Sequence, residues 1–160
     1  MNRWLPVLLA FLLFPAASLA HSEKEHADAL CAGFDAIEHS NFDGTRTDCL
    51  SAQYAVEVDF SSKWAEGIAQ ALYYGLIHDR STGLILICSN YTSSRACVAH
   101  LGRAIETLEA YSLPGRLWFC EHDTNSLDDC SVQFERSWQP SSSGVLDDGL
   151  VDQQAALGVN

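Results

Sequence analysis

Three acidic residues fall on two short segments that the sequence predicts to be neighbouring β-strands. Asp48 lies in the first segment, 45–51, and Glu57 and Asp59 lie in the second, 54–60. Both segments are rich in β-forming residues and only two residues separate them, which predicts a β-hairpin. Carboxylates brought together in this way are the hard oxygen ligands that divalent cations prefer, so the chemistry this patch could support is metal binding.

The register of the hairpin places like charges against each other. Whether the loop has two or four residues, Asp48 lies directly opposite Glu57, and Arg46 lies opposite Asp59. Directly opposed side chains have Cβ atoms about 4.5–5.5 Å apart, and like charges there are destabilising. Alternation along the strand puts Glu57 and Asp59 on one face. We expect a divalent cation to offset the repulsion; the alternative is that Arg46 neutralises Asp59 while the other two acids face water.

The segment after the hairpin predicts an amphipathic helix that runs to about residue 78, with Ser61 or Ser62 as its cap. One of its faces is apolar. The opposite face is polar, because its residues recur three or four positions apart. The first residue of this face, Lys63, lies near the strand end that carries the acids and would place its positive charge beside them. The residues of this polar face are Lys63, Glu66, Gln70 and Tyr74.

In this order, the motifs resemble the RecB-type branch of the PD-(D/E)XK nuclease superfamily. That branch carries a GxxxD strand, an acidic-x-Lys strand and a QxxxY helix, which correspond here to 44–48, 57–59 and 70–74. The resemblance covers roughly residues 30–120. It implies an α/β fold of the α+β kind, an αβββαβ restriction-endonuclease-like core whose helices flank a small mixed sheet. The first strand would be short, around 38–42, where propensity alone predicts a loop.

The resemblance also implies a metal site. Asp48 and Glu57 would be the metal-binding acids, and Glu38 would match the superfamily's helix glutamate as a further ligand. The cofactor would be Mg²⁺, or Mn²⁺ in its place, which lowers the pKa of a water molecule and stabilises charge on a scissile phosphate. The alternative ligand set is Glu57 and Asp59, with Asp48 secondary.

The chain departs from the superfamily pattern at the lysine. The pattern has Lys where this chain has Asp59, so Asp59 joins the catalytic group and Lys63 would supply the cation from the helix. A long, flexible ammonium side chain can reach the same space from more than one backbone position. Gln70 and Tyr74 would orient the site and contact the nucleic-acid backbone.

The resulting prediction is a metal-dependent hydrolase of nucleic-acid phosphodiester bonds. Two alternatives remain open at this stage. One is a nuclease-fold binding module, stabilised by disulfides, that no longer cuts. The other is an acidic metal-binding domain with no nucleic-acid role.

Apolar strands alternating with amphipathic helices predict a mixed sheet with helices packed on it. Beyond the hairpin and its helix, hydrophobic periodicity and turn residues define the other elements. These are a helix at 22–37, turns at 41–44 and 79–83, a strand at 84–88, a helix at 94–112, a strand at 116–120 and an edge strand at 131–137.

The ends of the chain differ in composition from its middle. Residues 1–20 have a positive start, an apolar run at 5–14 and small residues before a cut near Ala20, which is typical of a signal peptide. The apolar run is shorter than the ~20 residues that cross a bilayer, so no stable membrane anchor is expected. We predict one nuclease-like domain at 21–138, a disordered acidic tail at 139–160, and a periplasmic or secreted location.

Cysteine usage and charge agree with export. Six cysteines in an exported chain indicate three disulfides, and because no spacing is typical of a zinc site, metal binding by thiolates is the weaker alternative. Two of the pairs bridge polar loops, and the third is what remains. A net charge of −12 argues against a long electrostatic contact with phosphates and suits a carboxylate-rich metal site. The expected pairs are Cys31–Cys49, Cys88–Cys97 and Cys120–Cys130.

Overall fold

The fold is a six-stranded sheet between two layers of helices. A computed structural model describes residues 22–137, so the predicted signal peptide and the whole of the predicted tail lie outside the described residues. No helix in this range is long and apolar enough to cross a bilayer. In chain order the elements are α1 Glu23–Leu30, β1 Ala36–Ser40, β2 Arg46–Leu50, β3 Tyr54–Phe60, α2 Trp64–His78, β4 Ser81–Cys88, α3 Ser94–Ala110, β5 Gly115–Glu121 and β6 Ser131–Arg136.

The strands lie in the sheet in the order in which they occur in the chain. β1, β2 and β3 form an antiparallel meander, β4 and β5 run parallel to β3, and β6 is antiparallel to β5. Two parallel connections are possible because α2 and α3 carry the chain back across the sheet. The first six elements therefore follow the order α-β-β-β-α-β, and the predicted mixed α+β sheet with flanking helices is confirmed.

Two hydrophobic cores lie on opposite faces of this sheet. On one face α1 contributes Ala27 and Leu30 to a core that also contains Val58, Ile85 and Trp118. On the other face α2 and α3 pack against Leu84 and Leu86. Successive residues of β4 pack into opposite cores, so the strand is apolar from Leu84 to Cys88, as expected for a strand buried on both faces.

The hairpin and the disulfides form as predicted. The ladder pairs Cys49 with Val56 and Leu50 with Ala55, which is the register that the loop length predicts. All six cysteines form the three expected disulfides. The bond between Cys31 and Cys49 ties the end of α1 to β2, and both cysteines are buried in the core under α1.

The first helix is much shorter than predicted. α1 ends at Leu30, and the chain turns after Cys31, where the Phe34 N–H donates to the Cys31 carbonyl. Because Cys31 is bonded to β2, the chain leaves the helix and enters the sheet beside that strand. Ile37, which the helical pattern had included, pairs with Cys49 in β1. The helix prediction to residue 37 is wrong, and the short first strand lies about two residues earlier than expected.

Three other boundaries differ from the sequence prediction. Neither predicted serine caps α2, because Ser61–Lys63 form a 3₁₀ turn and α2 begins without a side-chain cap. β4 begins at Ser81, inside the predicted turn, because Ser81 pairs with Tyr54 and its N–H donates to the Gln53 carbonyl. The second long helix ends at Ala110, two residues before the predicted end.

Two glycines allow a matched test of this packing. A Cβ atom at Gly83, in β4, would lie 2.6 Å from Val56 Cγ2 and 3.1 Å from Trp118 Cζ3. We expect Gly83→Ala to lower the free energy of unfolding by about 1–3 kcal/mol, because the core must yield. A Cβ at Gly102, inside α3, meets nothing outside its helix within 4 Å. Gly102→Ala should therefore raise the same quantity by roughly 0.5–1 kcal/mol through helix propensity.

Urea unfolding of both variants checks this prediction. Effects of the same sign would contradict the packing described for β4 and α3.

Candidate functional site

Glu57 is a buried carboxyl group near the middle of β3, with only 6% of the residue exposed. It pairs with Leu84 of β4 and so lies on the sheet face that α2 covers. Within residues 22–137 its Oε2 atom is buried without a hydrogen-bond partner. Burial, followed by the carboxylates of Asp48 and Asp59, raises the pKa of Glu57 to about 9. Buried polar atoms nearly always have a partner, so this oxygen marks a place for a proton or a ligand.

Asp48 lies where β2 and β3 separate. The last backbone pair of this ladder is Cys49 with Val56. Beyond it the side chain of Asp48 bridges the two strands, because its Oδ2 accepts the N–H of Val58 at 2.8 Å. Burial raises the pKa of Asp48 to about 6, although the bond from Val58 opposes the shift. Asp48 is therefore held against β3 beside Glu57, as the hairpin register predicted.

Asp59 is the most deeply buried of the three acids, at 1% exposed. Its Oδ1 accepts the Phe60 N–H at 2.8 Å and lies 3.3 Å from the Lys63 Nζ. Burial, and then the Glu23 carboxylate, raises the pKa of Asp59 to about 7, against the opposing charge of Lys63. The ammonium that sequence analysis placed beside the acids therefore contacts Asp59.

Glu23 is a fourth acid at the site, and sequence analysis missed it. Its Oε2 accepts a hydrogen bond from Lys63 Nζ at 2.8 Å, across 40 residues of sequence. That bond raises the pKa of Lys63, so the ammonium keeps its proton at neutral pH. A signal for this contact does exist in the sequence. The disulfide joins Cys31 to Cys49, and Cys49 pairs with Val56. The helix rises about 12 Å from Cys31 back to Glu23, and β3 extends ~10 Å from Val56 to Asp59. The two similar lengths bring Glu23 to the level of Asp59 and Lys63.

Arg46 does not pair with Asp59. Its Nη1 lies 2.8 Å from Glu38 Oε2 on β1, and Lys24 lies 4.0 Å from the other oxygen of Glu38. Lys63 occupies the place beside Asp59, so the interpretation in which Arg46 neutralises Asp59 is wrong. The companion idea, that the opposed acids face water, is also wrong, because Glu57 is buried and the half-buried Asp48 is bonded to the Val58 N–H. Glu38 remains close enough for its charge to raise the pKa of Asp48.

α2 packs directly on the acidic residues. Gly67 lies over Asp59, where an added Cβ would lie 3.5 Å from the Asp59 Cβ. Tyr74, two turns along, is buried, and burial followed by the charges of Glu57 and Asp48 raises its pKa. Gln70 is half-buried one turn before Tyr74 on the same side of the helix, and its side chain makes no hydrogen bond within residues 22–137. The QxxxY face of α2 therefore turns towards the acids.

The end of α2 is bound to the turn between β1 and β2. His78 Nε2 lies 2.9 Å from Asn41 Oδ1 and 3.0 Å from Thr47 Oγ1, and the hydroxyl of Tyr73 donates to the Asp43 carboxylate. This last bond contributes most to lowering the pKa of Asp43 to about 2. These contacts fix the part of β2 that precedes Asp48 relative to the helix.

The donor set suits a hard cation, although it is not a finished metal site. Among the described residues, no three His, Cys, Asp or Glu side chains already stand in a metal-ligating arrangement. One oxygen of Asp48 and one of Asp59 accept backbone N–H groups, and Asp59 also contacts Lys63. The unpartnered Glu57 oxygen and the free oxygen of Asp48 are the carboxylate donors that Mg²⁺ or Mn²⁺ selects.

Comparisons of the chain with family models, with curated proteins and with solved structures gave no significant match.

The raised carboxyl pKa values predict a stability that falls with pH. Each of these acids favours the folded state while it is protonated, so its contribution is complete below the unfolded pKa of about 4. It is lost as the pH rises through about 6 for Asp48, about 7 for Asp59 and about 9 for Glu57. We expect the free energy of unfolding of the metal-free protein to decrease between about pH 5 and 9.

Urea unfolding with a chelator, for the native chain and for Glu57→Gln, measures this slope. The variant lacks the ionisable group and should show a flatter profile. Equal slopes for the two proteins would contradict the burial of a protonated Glu57.

Proposed function

We propose that this protein is a metal-dependent, nuclease-like hydrolase of nucleic-acid phosphodiester bonds that acts outside the cytoplasm. The observation that carries the proposal is the buried, unpartnered Oε2 of Glu57, flanked by the carboxyl groups of Asp48 and Asp59. Buried acids without compensating charge are costly. A site that keeps several of them together gains from a ligand that brings positive charge.

Asp48 and Glu57 would hold the cation, with Glu38 contributing nearby negative charge from β1. A bound Mg²⁺ or Mn²⁺ would supply Lewis-acid stabilisation of a phosphate and a more acidic water. Glu57 carries a proton at neutral pH while no cation is bound, because burial and the neighbouring carboxylates raise its pKa to about 9. Binding of a cation would therefore release protons from these acids into solution.

Lys63 would act through its charge. Its raised pKa means that it cannot serve as a base near neutral pH, whereas its ammonium can stabilise negative charge on a phosphate. Asp59 and Glu23 hold the ammonium at 3.3 Å and 2.8 Å, so both are positioning residues for Lys63.

Phosphate binding would depend on this local positive charge. The chain as a whole carries a net charge of −12, which repels a polyanion. The cation and Lys63 would provide the attraction. On the α2 face that meets the acids, Gln70 would orient the nucleic-acid backbone and the buried Tyr74 would orient the site itself. We therefore expect nucleic-acid binding to be weak without a divalent cation.

Export is part of the proposal. All six cysteines are in disulfides, which form and persist in oxidising compartments. The signal-peptide pattern of residues 1–20 supports the same location. Nucleic acid met there would come from outside the cell or from lysed cells.

A second candidate function is a cation-binding module of the same fold that does not cut. It is favoured by one contact: Lys63 is shared between two carboxylates, which neutralise much of its charge. Asp59, at the position where the nuclease pattern has lysine, also favours a module that does not cut.

A cleavage assay separates the two functions. The protein is incubated with single- and double-stranded DNA and with RNA, with Mg²⁺, with Mn²⁺ and with a chelator. We expect cation-dependent cleavage that Glu57→Gln and Asp48→Asn each reduce by about 100-fold or more, because the metal ligands are lost. Lys63→Met should reduce cleavage without abolishing cation binding.

Glu106→Gln, an exposed change on α3 with the same loss of charge, is the matched control and should cleave like the native chain. Cleavage that Glu57→Gln retains would overturn the proposed site. Cation binding without cleavage of any substrate would leave the second candidate.

A further inference from the structure

A groove lies between the end of α2 and the start of β4. Its volume is about 410 Å³. Gly75 and Thr82 both line it, and the helix approaches the strand so closely there that a Cβ atom on Gly75 would lie 2.5 Å from Thr82 Oγ1. None of the described residues that line the groove belongs to the proposed catalytic site. The groove is therefore a separate feature of the surface.

Apolar side chains line much of this groove. Leu72 and Leu76 reach it from α2, Ala52 from the β2–β3 loop and Pro114 from the residue before β5. Leu76 is 78% exposed, although it lies only two residues before the end of the helix. A single exposed leucine is ordinary, but one that shares a concave surface with other apolar residues indicates a place for a further chain segment.

The groove also carries a cation. Arg80 lines it and is exposed, and its Nη1 donates to the Asp79 carbonyl at 3.0 Å. Within residues 22–137 its guanidinium forms no ion pair with a carboxylate, although the chain has 21 acidic residues against nine basic ones. An arginine left available in so acidic a protein favours an occupant that brings a carboxylate.

The chain leaves the described structure beside the groove. Ser137, the last described residue, lines a neighbouring cavity that shares Gln53, Ser81 and Thr82 with the groove. β6 ends next to β5, two strands from β4, which corresponds to about 10 Å. Eight further residues can span roughly 26 Å, so the segment from residue 145 onwards is long enough to enter the groove.

The segment within reach has the chemistry that the groove needs. Residues 145–146 are Val-Leu and residues 150–151 are Leu-Val, and the acids Asp147 and Asp148 lie between these apolar pairs. No Lys or Arg follows Arg136 in the sequence. A segment of this composition cannot form a core of its own, which is why sequence alone predicts disorder, but it can become ordered against a surface that already exists.

We propose that residues 145–151 occupy this groove in the same molecule. Their apolar side chains pack against Leu72, Leu76 and Pro114, and Asp147 or Asp148 pairs with Arg80. The segment then covers the starts of β4 and β5 and the end of α2, and it leaves the acidic site open. The inference does not rest on the proposed nuclease function.

Limited proteolysis of the full chain tests the proposal, with a protease that cleaves after small apolar residues. A synthetic peptide of residues 139–160 gives the cleavage rate of the free segment. We expect cleavage within 145–151 to be about tenfold slower in the native chain, because the rate follows the population in which the segment has left the groove. Leu76→Asp and Arg80→Glu should each bring the rate close to that of the peptide.

A charge exchange tests the ion pair itself. Arg80→Glu combined with Asp147→Lys and Asp148→Lys should restore slow cleavage, with the correspondingly changed peptide as its reference. Val98→Asp, the same kind of change at an exposed residue of α3, is the matched control and should be cleaved like the native chain. Thermal unfolding identifies any variant that fails to fold, and the charge exchange keeps the test valid because it predicts a recovery.

Three outcomes would overturn the proposal. The first is cleavage of the native chain at the rate of the peptide. The second is an equal acceleration by Val98→Asp and Leu76→Asp. The third is protection that disappears when the protein is diluted roughly a hundredfold, because this would assign the groove to a second copy of the chain.

Discussion

The cost of burying three carboxyl groups side by side is the constraint on which the site depends. Glu57 and Asp59 are buried on β3, Asp48 is half-buried on the adjacent β2, and burial is the main cause of the raised pKa of each. Proteins rarely bury acids without partners. The chain offers two local compensations, the Val58 N–H for Asp48 and the Lys63 ammonium for Asp59. Glu57 receives neither, so a proton or a cation must supply the balance.

The rest of the fold holds these groups where they repel one another. The disulfide between Cys31 and Cys49 anchors α1, and α1 brings Glu23 to Lys63. α2 is held at its start by its close packing over Asp59 at Gly67 and at its end by the bonds of His78 to the β1–β2 turn. Both helices are therefore tied to the strands that carry the acids. Such rigidity is typical of a preorganised binding site.

Much of this arrangement could be predicted from local sequence patterns, whereas the rest depends on contacts between residues far apart in the chain. The short loop fixes the hairpin register, so the apposition of Asp48 and Glu57 could be predicted from spacing alone. Local pattern alone could not predict β1, because this edge strand is largely exposed: residues 36–37 continue the helical pattern and propensity predicts a loop after them. Only the family resemblance indicated a strand here. Arg46 pairs with Glu38 of β1, so the alternative in which it neutralises Asp59, which considered only the hairpin, is wrong. Glu23 is 40 residues from Lys63, and only the disulfide and the helix length together indicate their contact.

The most direct test of the central claim is a count of the protons released when a cation binds. Calorimetric titration of Mn²⁺ near neutral pH, in two buffers of different ionisation enthalpy, gives that number. If Glu57 is buried, protonated and ready to accept a cation, Mn²⁺ binds with release of about one proton or more, and Glu57→Gln abolishes that release. Absence of binding, or binding without proton release, would contradict the account.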